Sequence, residues 1–462
     1  MRVLLIVYDN DSYIHNFPHA IAAVGAILKK HDYDVTVYDQ AINHYPESHL
    51  LDYMDNNRFD VVGLSFIAGY YEYRKALKIS EAINQSKNRP LFLIGGHGPT
   101  PEPEYFLRKT GADVVVMGEG EETVLELLDV IKQKRSLHDI KGIAFTENGK
   151  CVVNERRTLI KDIDSLPFQA YELFNMSYYR LIRPPKCVSS DFCIPILSGR
   201  GCIFHCNFCY RLDEGFRARS EESIVEEIKL LKKDYGITYI NFNDELLMSS
   251  KDRTISLCNA FIMNKLNIKW QCNGRLNYAT REVLDLMKKA GCVFINYGIE
   301  SMDDLSLKKM NKALTTKMII RGVEATIDAG ISPGLNIIFG NIGETRRTLK
   351  KGVEFILKYD DFSSLRTIRP VTPYPGSPLY YYAIEKGMLK DCADFYENKH
   401  VNSDLLSVNF TELSDDEFYE AIFEANQTLL DNYCSHMQQS YHKQLVRLYQ
   451  EKDASFRGFR HT

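Results

Sequence analysis

The chain has 462 residues, 45% of them hydrophobic, and a formal net charge of −4, which leaves room for about three domains and a sizeable core. No long basic run is present, so the footprint of a nucleic-acid-binding protein is not visible, and no stretch of about 18 apolar residues offers a transmembrane helix. Eleven cysteines, three in one motif and the rest scattered singly, are no secreted disulfide framework and suit a reducing cytoplasm.

The opening run, residues 1–9, is too short and too soon acidic for a signal peptide and reads as a buried parallel strand. Apolar runs at 3–8, 35–38, 61–66, 91–94 and 114–117 alternate with amphipathic stretches near 18–31, 47–57, 69–86, 101–110 and 121–133. This βαβ series predicts an α/β fold, a doubly wound parallel sheet whose ligand lies beyond the carboxyl ends of the strands. The residues at those ends are Ser65, then Gly95 and Gly96, then Gly118, Glu119 and Gly120. Glycines there let a large planar or tailed ligand approach the backbone. No G-x-G-x-x-G follows the first strand and no G-x4-G-K-[ST] is present, which argues against a dinucleotide or P-loop site.

Residues 136–190 lack a long periodic pattern and read as a connector. Within it, 141–154 predicts a hairpin around Glu147-Asn148-Gly149, because Asn-Gly favours the tight turn. A second βα series follows, with candidate strands at 194–198, 238–242, 269–273, 294–298, 334–339 and 364–370. Six units are too few for a full eight-stranded barrel. Reactive residues belong at the carboxyl ends.

After the first of these strands comes Gly199-Arg200-Gly201-Cys202-Ile203-Phe204-His205-Cys206-Asn207-Phe208-Cys209-Tyr210. The spacing is C-x3-C-x2-C. Three thiolates can hold three irons of a 4Fe–4S cluster and leave the fourth open. The competing readings are three buried thiols or a zinc site. Zinc usually takes four ligands, and His205 sits awkwardly inside the loop to supply the last.

The motif, with its upstream glycines and an aromatic before the third cysteine, resembles the signature of the radical SAM enzymes. The preceding sheet, with Gly95-Gly96 and Gly118-Glu119-Gly120-Glu121, resembles the cobalamin-binding domain of one large subgroup. The resemblance implies a Rossmann-like cobalamin-binding domain over 1–135, the connector over 136–190 and a partial (β/α)6 barrel over 191–380. A helical C-terminal region, 381–462, would close the barrel or serve as a substrate lid, with Tyr380, Tyr381 and Tyr382 suited to either role. Cys202, Cys206 and Cys209 would ligate the cluster, and S-adenosylmethionine would chelate the open iron. Asp244 and Glu245 stand where the superfamily holds the methionyl ammonium, Arg275 where the carboxylate pairs, and Glu300, Asn336 and the Phe208 backbone near ribose and adenine. Ser65, Gly95, Gly96, Gly118, Glu119 and Gly120 would line the corrinoid. The place of the cobalt-binding histidine of D-x-H-x-x-G is Ala41, so a base-off, His-off corrinoid is expected. Residues 1–150 contain no cysteine, which argues against a methylthiotransferase.

These resemblances imply an enzyme that makes a 5′-deoxyadenosyl radical, abstracts hydrogen and transfers a methyl group from methylcobalamin to an unactivated carbon. The alternatives are a radical cyclase or rearrangement enzyme of the same architecture and a cobalamin-responsive binding protein. A low-potential electron donor such as flavodoxin or ferredoxin is expected. The substrate class, whether small molecule, lipid or peptide, stays open, as does a first sheet that only docks.

Overall fold

The computed structural model describes residues 1–12, 16–212 and 215–459. The first sheet contains β1 (Arg2–Val7), β2 (Asp34–Asp39), β3 (Val61–Ser65), β4 (Leu91–Gly95), β5 (Val114–Val116), β6 (Ile143–Glu147) and β7 (Lys150–Val153), in the order β2-β1-β3-β4-β5-β6-β7. The pairs among β1 to β5 are parallel, and β6 and β7 are antiparallel. Parallel strands bury both faces, and β1 shows why its sequence is an unbroken apolar run. Val3, Leu5 and Val7 enter one core, which holds helices His19–Lys30 and Gly120–Lys132. Leu4 and Ile6 enter the other, which holds Glu47–Asn56, Tyr70–Gln85 and Pro103–Thr110.

The 141–154 hairpin forms as the sequence predicts, with Asn148 and Gly149 both at positive φ. It does not stand apart as a connector. It pairs Phe145 with Val114 and covers the edge that β5 would otherwise expose.

The second sheet is all parallel: β8 (Cys193–Ile196), β11 (Tyr239–Phe242), β12 (Lys269–Gly274), β13 (Cys292–Glu300), β14 (Ser332–Phe339) and β15 (Arg369–Pro370), in the order β15-β14-β13-β12-β11-β8. Between β8 and β11, β9 (Gly199–Cys202) and β10 (Gly215–Ala218) pair with each other as a separate antiparallel ribbon. The strand expected over 364–370 is reduced to two residues. Its first half is irregular, and Arg366 within it reaches Asp360, Asp361 and the Pro333 carbonyl. Helix Asp415–Leu445 covers that edge. Its Asn426 amide accepts from the Ile368 N–H at 2.8 Å and donates to the Ile368 carbonyl at 3.0 Å, as a neighbouring strand would. Ser414 and Glu417 form the capping box that starts this helix, and Phe418 stacks on Phe339 with centroids 4.9 Å apart.

The two sheets are not independent bodies. Phe17 of the first domain packs on Tyr171, Phe174 and Tyr179 of the connector, with centroids 5.0–5.3 Å apart. The C-terminal stretch packs on the first domain's helices: Tyr396 stacks on Tyr73, Glu397 pairs with Lys109 at 2.8 Å, and buried Tyr380 donates to Glu102 at 3.1 Å. Tyr381 of the same helix is exposed. Among the described residues no helix is long and apolar enough to cross a membrane.

Candidate active site between the two sheets

The carboxyl ends of the two sheets face each other across the cysteine loop. His97, after β4, lies 4.0 Å from Glu245, after β11, and its ring stands edge-on to Tyr210 at 6.0 Å. Burial holds the His97 imidazole below its ordinary range. The loops after β3, β4 and β5 therefore open onto the same space as the cysteine loop.

The Ser65–Gly96 contact shows why this corner needs glycine. Gly96 has φ +99°, and a Cβ there would lie 2.6 Å from the Phe66 carbonyl and 2.8 Å from the Ser65 hydroxyl. Gly95 packs against Val116 of β5. Gly118, at φ +83°, is different: a Cβ there would meet nothing within 4 Å. That open, side-chain-free backbone beyond the sheet is the kind of cradle a broad ring requires.

Glu119 does not face this opening, contrary to the sequence expectation. Its carboxylate is buried and engaged by three partners: Arg200 at 2.7 Å, Arg217 at 3.0 Å and the Ile160 N–H at 2.7 Å. Glu121 takes the other arm of Arg200 at 2.5 Å. Since Arg200 is on β9 and Arg217 on β10, this network fastens the turn after β5 to the ribbon that carries Cys202. The glutamates were legible as a loop motif. Their partners were not, because nothing in the sequence pairs residue 119 with 200 and 217.

Cys206 is buried, Cys202 half-buried and Cys209 exposed. Although Cys209 has exposed surface, the protein packed around its sulfur desolvates the thiolate and pushes the thiol up to about 12, with the neighbouring Cys206, Glu245 and Cys202 charges adding to the rise and Lys312 opposing it. Burial raises Cys202 too, while Arg275 opposes. The raised thiols of Cys202 and Cys209 fit a cationic cluster core, which would favour their thiolates. Among the described residues no three His, Cys, Asp or Glu side chains converge as the ligands of one ion would.

The loop is fastened from the barrel side. The Asn207 N–H donates to the Met310 carbonyl at 2.9 Å, and the Asn207 and Asn341 amides bond reciprocally at 2.9 and 3.0 Å. The Leu379 N–H donates to the Asn207 carbonyl at 2.8 Å.

The two acids after β11 have separate fates. Asp244 is buried and engaged by Ser198: it accepts from the Ser198 N–H at 2.6 Å and from the Ser198 hydroxyl. Burial raises its carboxyl to about 6 against these bonds. Glu245 is partly exposed and acts on both Cys202 and Cys209. Arg275 is buried with its guanidinium 3.6 Å above the Phe204 ring. It donates to the Lys312 carbonyl at 2.5 Å, while its Nε is buried with no hydrogen-bond partner. Such an orphaned donor is costly unless an acceptor fills the site. Glu300 sits at φ +67° where the β13–β14 register shifts and pairs with Lys312 at 2.7 Å, both side chains buried. Lys312 also lies 5.7 Å over the Phe208 ring. Sequence reading missed Lys312, Asn207 and Asn341; the one signal was that Asn207 lies within the cysteine motif. Asn336 is exposed although its strand is flanked on both sides, so it faces the open interior. There it donates to Asn296 at 2.6 Å, which in turn donates to Asn273 at 3.1 Å.

The profile of the B12 binding domain matches residues 8–128, and that of the radical SAM superfamily matches residues 196–356. An uncharacterized methyltransferase of Pyrococcus horikoshii is 29% identical over 84% of each chain. The anaerobic magnesium-protoporphyrin IX monomethyl ester cyclase of Rubrivivax gelatinosus is 27% identical over 82% of this chain and 69% of its own. Among solved structures, the radical S-adenosylmethionine methyltransferase TsrM of Kitasatospora setae, with cobalamin and a 4Fe–4S cluster bound, superposes with a TM-score of 0.75. The two share 18% identity over 93% of this chain and 90% of TsrM. The cofactors of such a chain are a 4Fe–4S cluster, S-adenosylmethionine and cobalamin. Two sheets that share one opening, with the cysteine loop between them, and these matches give the chain a B12 binding domain followed by a radical SAM domain.

Proposed function

We propose that this enzyme transfers a methyl group to an unactivated carbon. The observation that carries the reading is the shared opening, with the corrinoid-side His97 4.0 Å from Glu245 on the barrel side. When bound, the cluster and S-adenosylmethionine supply a 5′-deoxyadenosyl radical, and methylcobalamin supplies the methyl group. The chain's part is to hold these groups close and to exclude water. In this reading Cys202, Cys206 and Cys209 ligate the cluster. Glu245 accepts the methionyl ammonium, and the orphaned Nε of Arg275, with the Lys312 ammonium nearby, takes the carboxylate. Glu300, Asn336 and the Phe208 backbone serve ribose and adenine. Ser65, Gly95, Gly96, Gly118 and Gly120 line the corrinoid. Asp244 and Glu119 position the cysteine loop and ribbon instead of touching a ligand. The reaction needs a one-electron reductant from outside the chain, and eleven free cysteines fit a reducing cytoplasm.

The test is anaerobic reconstitution with iron, sulfide and hydroxocobalamin, followed by turnover with cell extract as the substrate source. S-adenosylhomocysteine together with 5′-deoxyadenosine supports methyl transfer. 5′-Deoxyadenosine alone supports the second reading, a radical cyclase, which the Rubrivivax gelatinosus relative favours. No retained corrinoid in a sample with an intact cluster would sink both.

A further inference from the structure

The cluster must receive an electron from solvent, and the structure shows where its loop meets solvent. Between Cys202 and Cys206, Ile203 and His205 are exposed. The His205 carbonyl accepts from the Asn311 amide at 2.9 Å, and Asn207 bonds the Met310 and Lys309 carbonyls at 2.9 and 3.3 Å. The exposed face of the cysteine loop is thus continuous with segment 304–317.

That segment is rich in exposed cations although the whole chain is net negative. Lys308, Lys309 and Lys317 are all exposed. Among the described residues, two neighbouring carboxylates are neutralised by ion pairs, Glu300 with Lys312 and Asp303 with Lys351 at 2.7 Å, while Asp304 stays exposed and accepts from the Thr316 N–H at 2.7 Å. The last bond also holds Lys317 beside the helix that bears Lys308 and Lys309. The result is three exposed cations against one exposed carboxylate on the segment that borders the Ile203 and His205 face of the cysteine loop.

We propose that this surface is the docking site of a small acidic protein that carries one electron at low potential. The inference rests on the cluster assigned above. The carrier is oxidised by one electron and the cluster is reduced by one; no atom moves between them. Electron-transfer encounters of this kind bury little area, and charge complementarity sets their association rate.

The test uses the reconstituted full-length enzyme and compares two reductants for S-adenosylmethionine cleavage: fully reduced flavodoxin at limiting concentration, and dithionite. The double variant Lys308→Glu/Lys309→Glu and the single variant Lys317→Glu are set against Lys443→Glu on the remote C-terminal helix. Expected is a fall of about tenfold or more in the flavodoxin-driven rate for the double variant. Its dithionite-driven rate and iron content should match the unaltered enzyme, and its salt dependence should flatten. Equal flavodoxin-driven rates in the double variant and in Lys443→Glu overturn the proposal, as does an equal loss with both reductants. Failure of the unaltered enzyme to cleave S-adenosylmethionine with dithionite instead overturns the underlying cluster reading.

Discussion

Glu119 offers the sharpest test of how the two domains are joined. Its side chain is 5% exposed and its arginine partners 14–20% exposed, so the network is largely removed from water. Glu119→Ala deletes the bonds to Arg200, Arg217 and the Ile160 N–H together. Breaking a buried ion pair from one side costs about 3–5 kcal/mol. Here each arginine keeps a second acceptor, Glu121 for Arg200 and the Ile160 carbonyl, at 2.6 Å, for Arg217. The expected loss is therefore near the lower end, about 3 kcal/mol. Glu119→Gln keeps an acceptor for the Ile160 N–H and loses the charge, so about 1–2 kcal/mol is expected. The assay is urea unfolding, since guanidinium would screen the ion pairs. Trp270, the single tryptophan, is fully buried in the second sheet and reports on it directly. Circular dichroism reports both sheets. A double-mutant cycle with Arg217→Ala should give a coupling energy above about 1 kcal/mol. A Glu119→Ala loss below about 0.5 kcal/mol, or additivity within that margin, would refute the claim that this contact fastens the ribbon to the first sheet.

Three further outcomes follow from single sites. Gly118→Ala forces a side chain into φ +83° with nothing to clash against; it should cost about 1 kcal/mol of backbone strain yet sharply lower retained corrinoid, read from the visible spectrum after desalting. His400 is buried, stacked on Phe395, with both ring nitrogens unpartnered, and burial lowers its pKa from 6.5 to about 4. The folded state thus favours the neutral ring. Its stability contribution is complete above pH 6.5 and is lost as pH falls to 4, by about 3 kcal/mol in all. His400→Phe should remove that acid-side loss, and an unchanged urea-midpoint profile between pH 6.5 and 4 would contradict the assignment. Glu344 runs the other way: burial raises its carboxyl from 4.5 to about 8 while it accepts from the Gly340 and Asn341 N–H groups. The unfolded chain loses this proton first, so stability is highest below pH 4.5 and declines until pH 8. Glu344→Gln keeps the acceptor and should flatten the profile over that window; a slope equal to that of the unaltered enzyme would show that another group titrates there.

Most strands and the cysteine motif are legible from the order of residues alone. Strands buried on both faces must be unbroken apolar runs, so β1, β3 and β4 were legible to within a residue or two. The spacing of Cys202, Cys206 and Cys209 lies within one loop and needs no partner from elsewhere. The Asn148-Gly149 hairpin was legible for the same reason, since its turn geometry is local. Which polar residues border the opening follows from the packing of the folded chain. Asp244 and Glu245 are neighbours in the chain, yet one is spent on Ser198 and the other looks toward His97, because adjacent side chains after a strand point to opposite sides. Lys312 reaches Glu300 and the Phe208 ring from a turn twelve residues on, and Arg200 and Arg217 reach Glu119 across a domain boundary. Such contacts depend on where two sheets come to rest against each other. No periodicity or spacing encodes that, because it is set by packing among Phe17, Tyr171, Phe174 and Tyr179 and by the buried charges that the packing encloses.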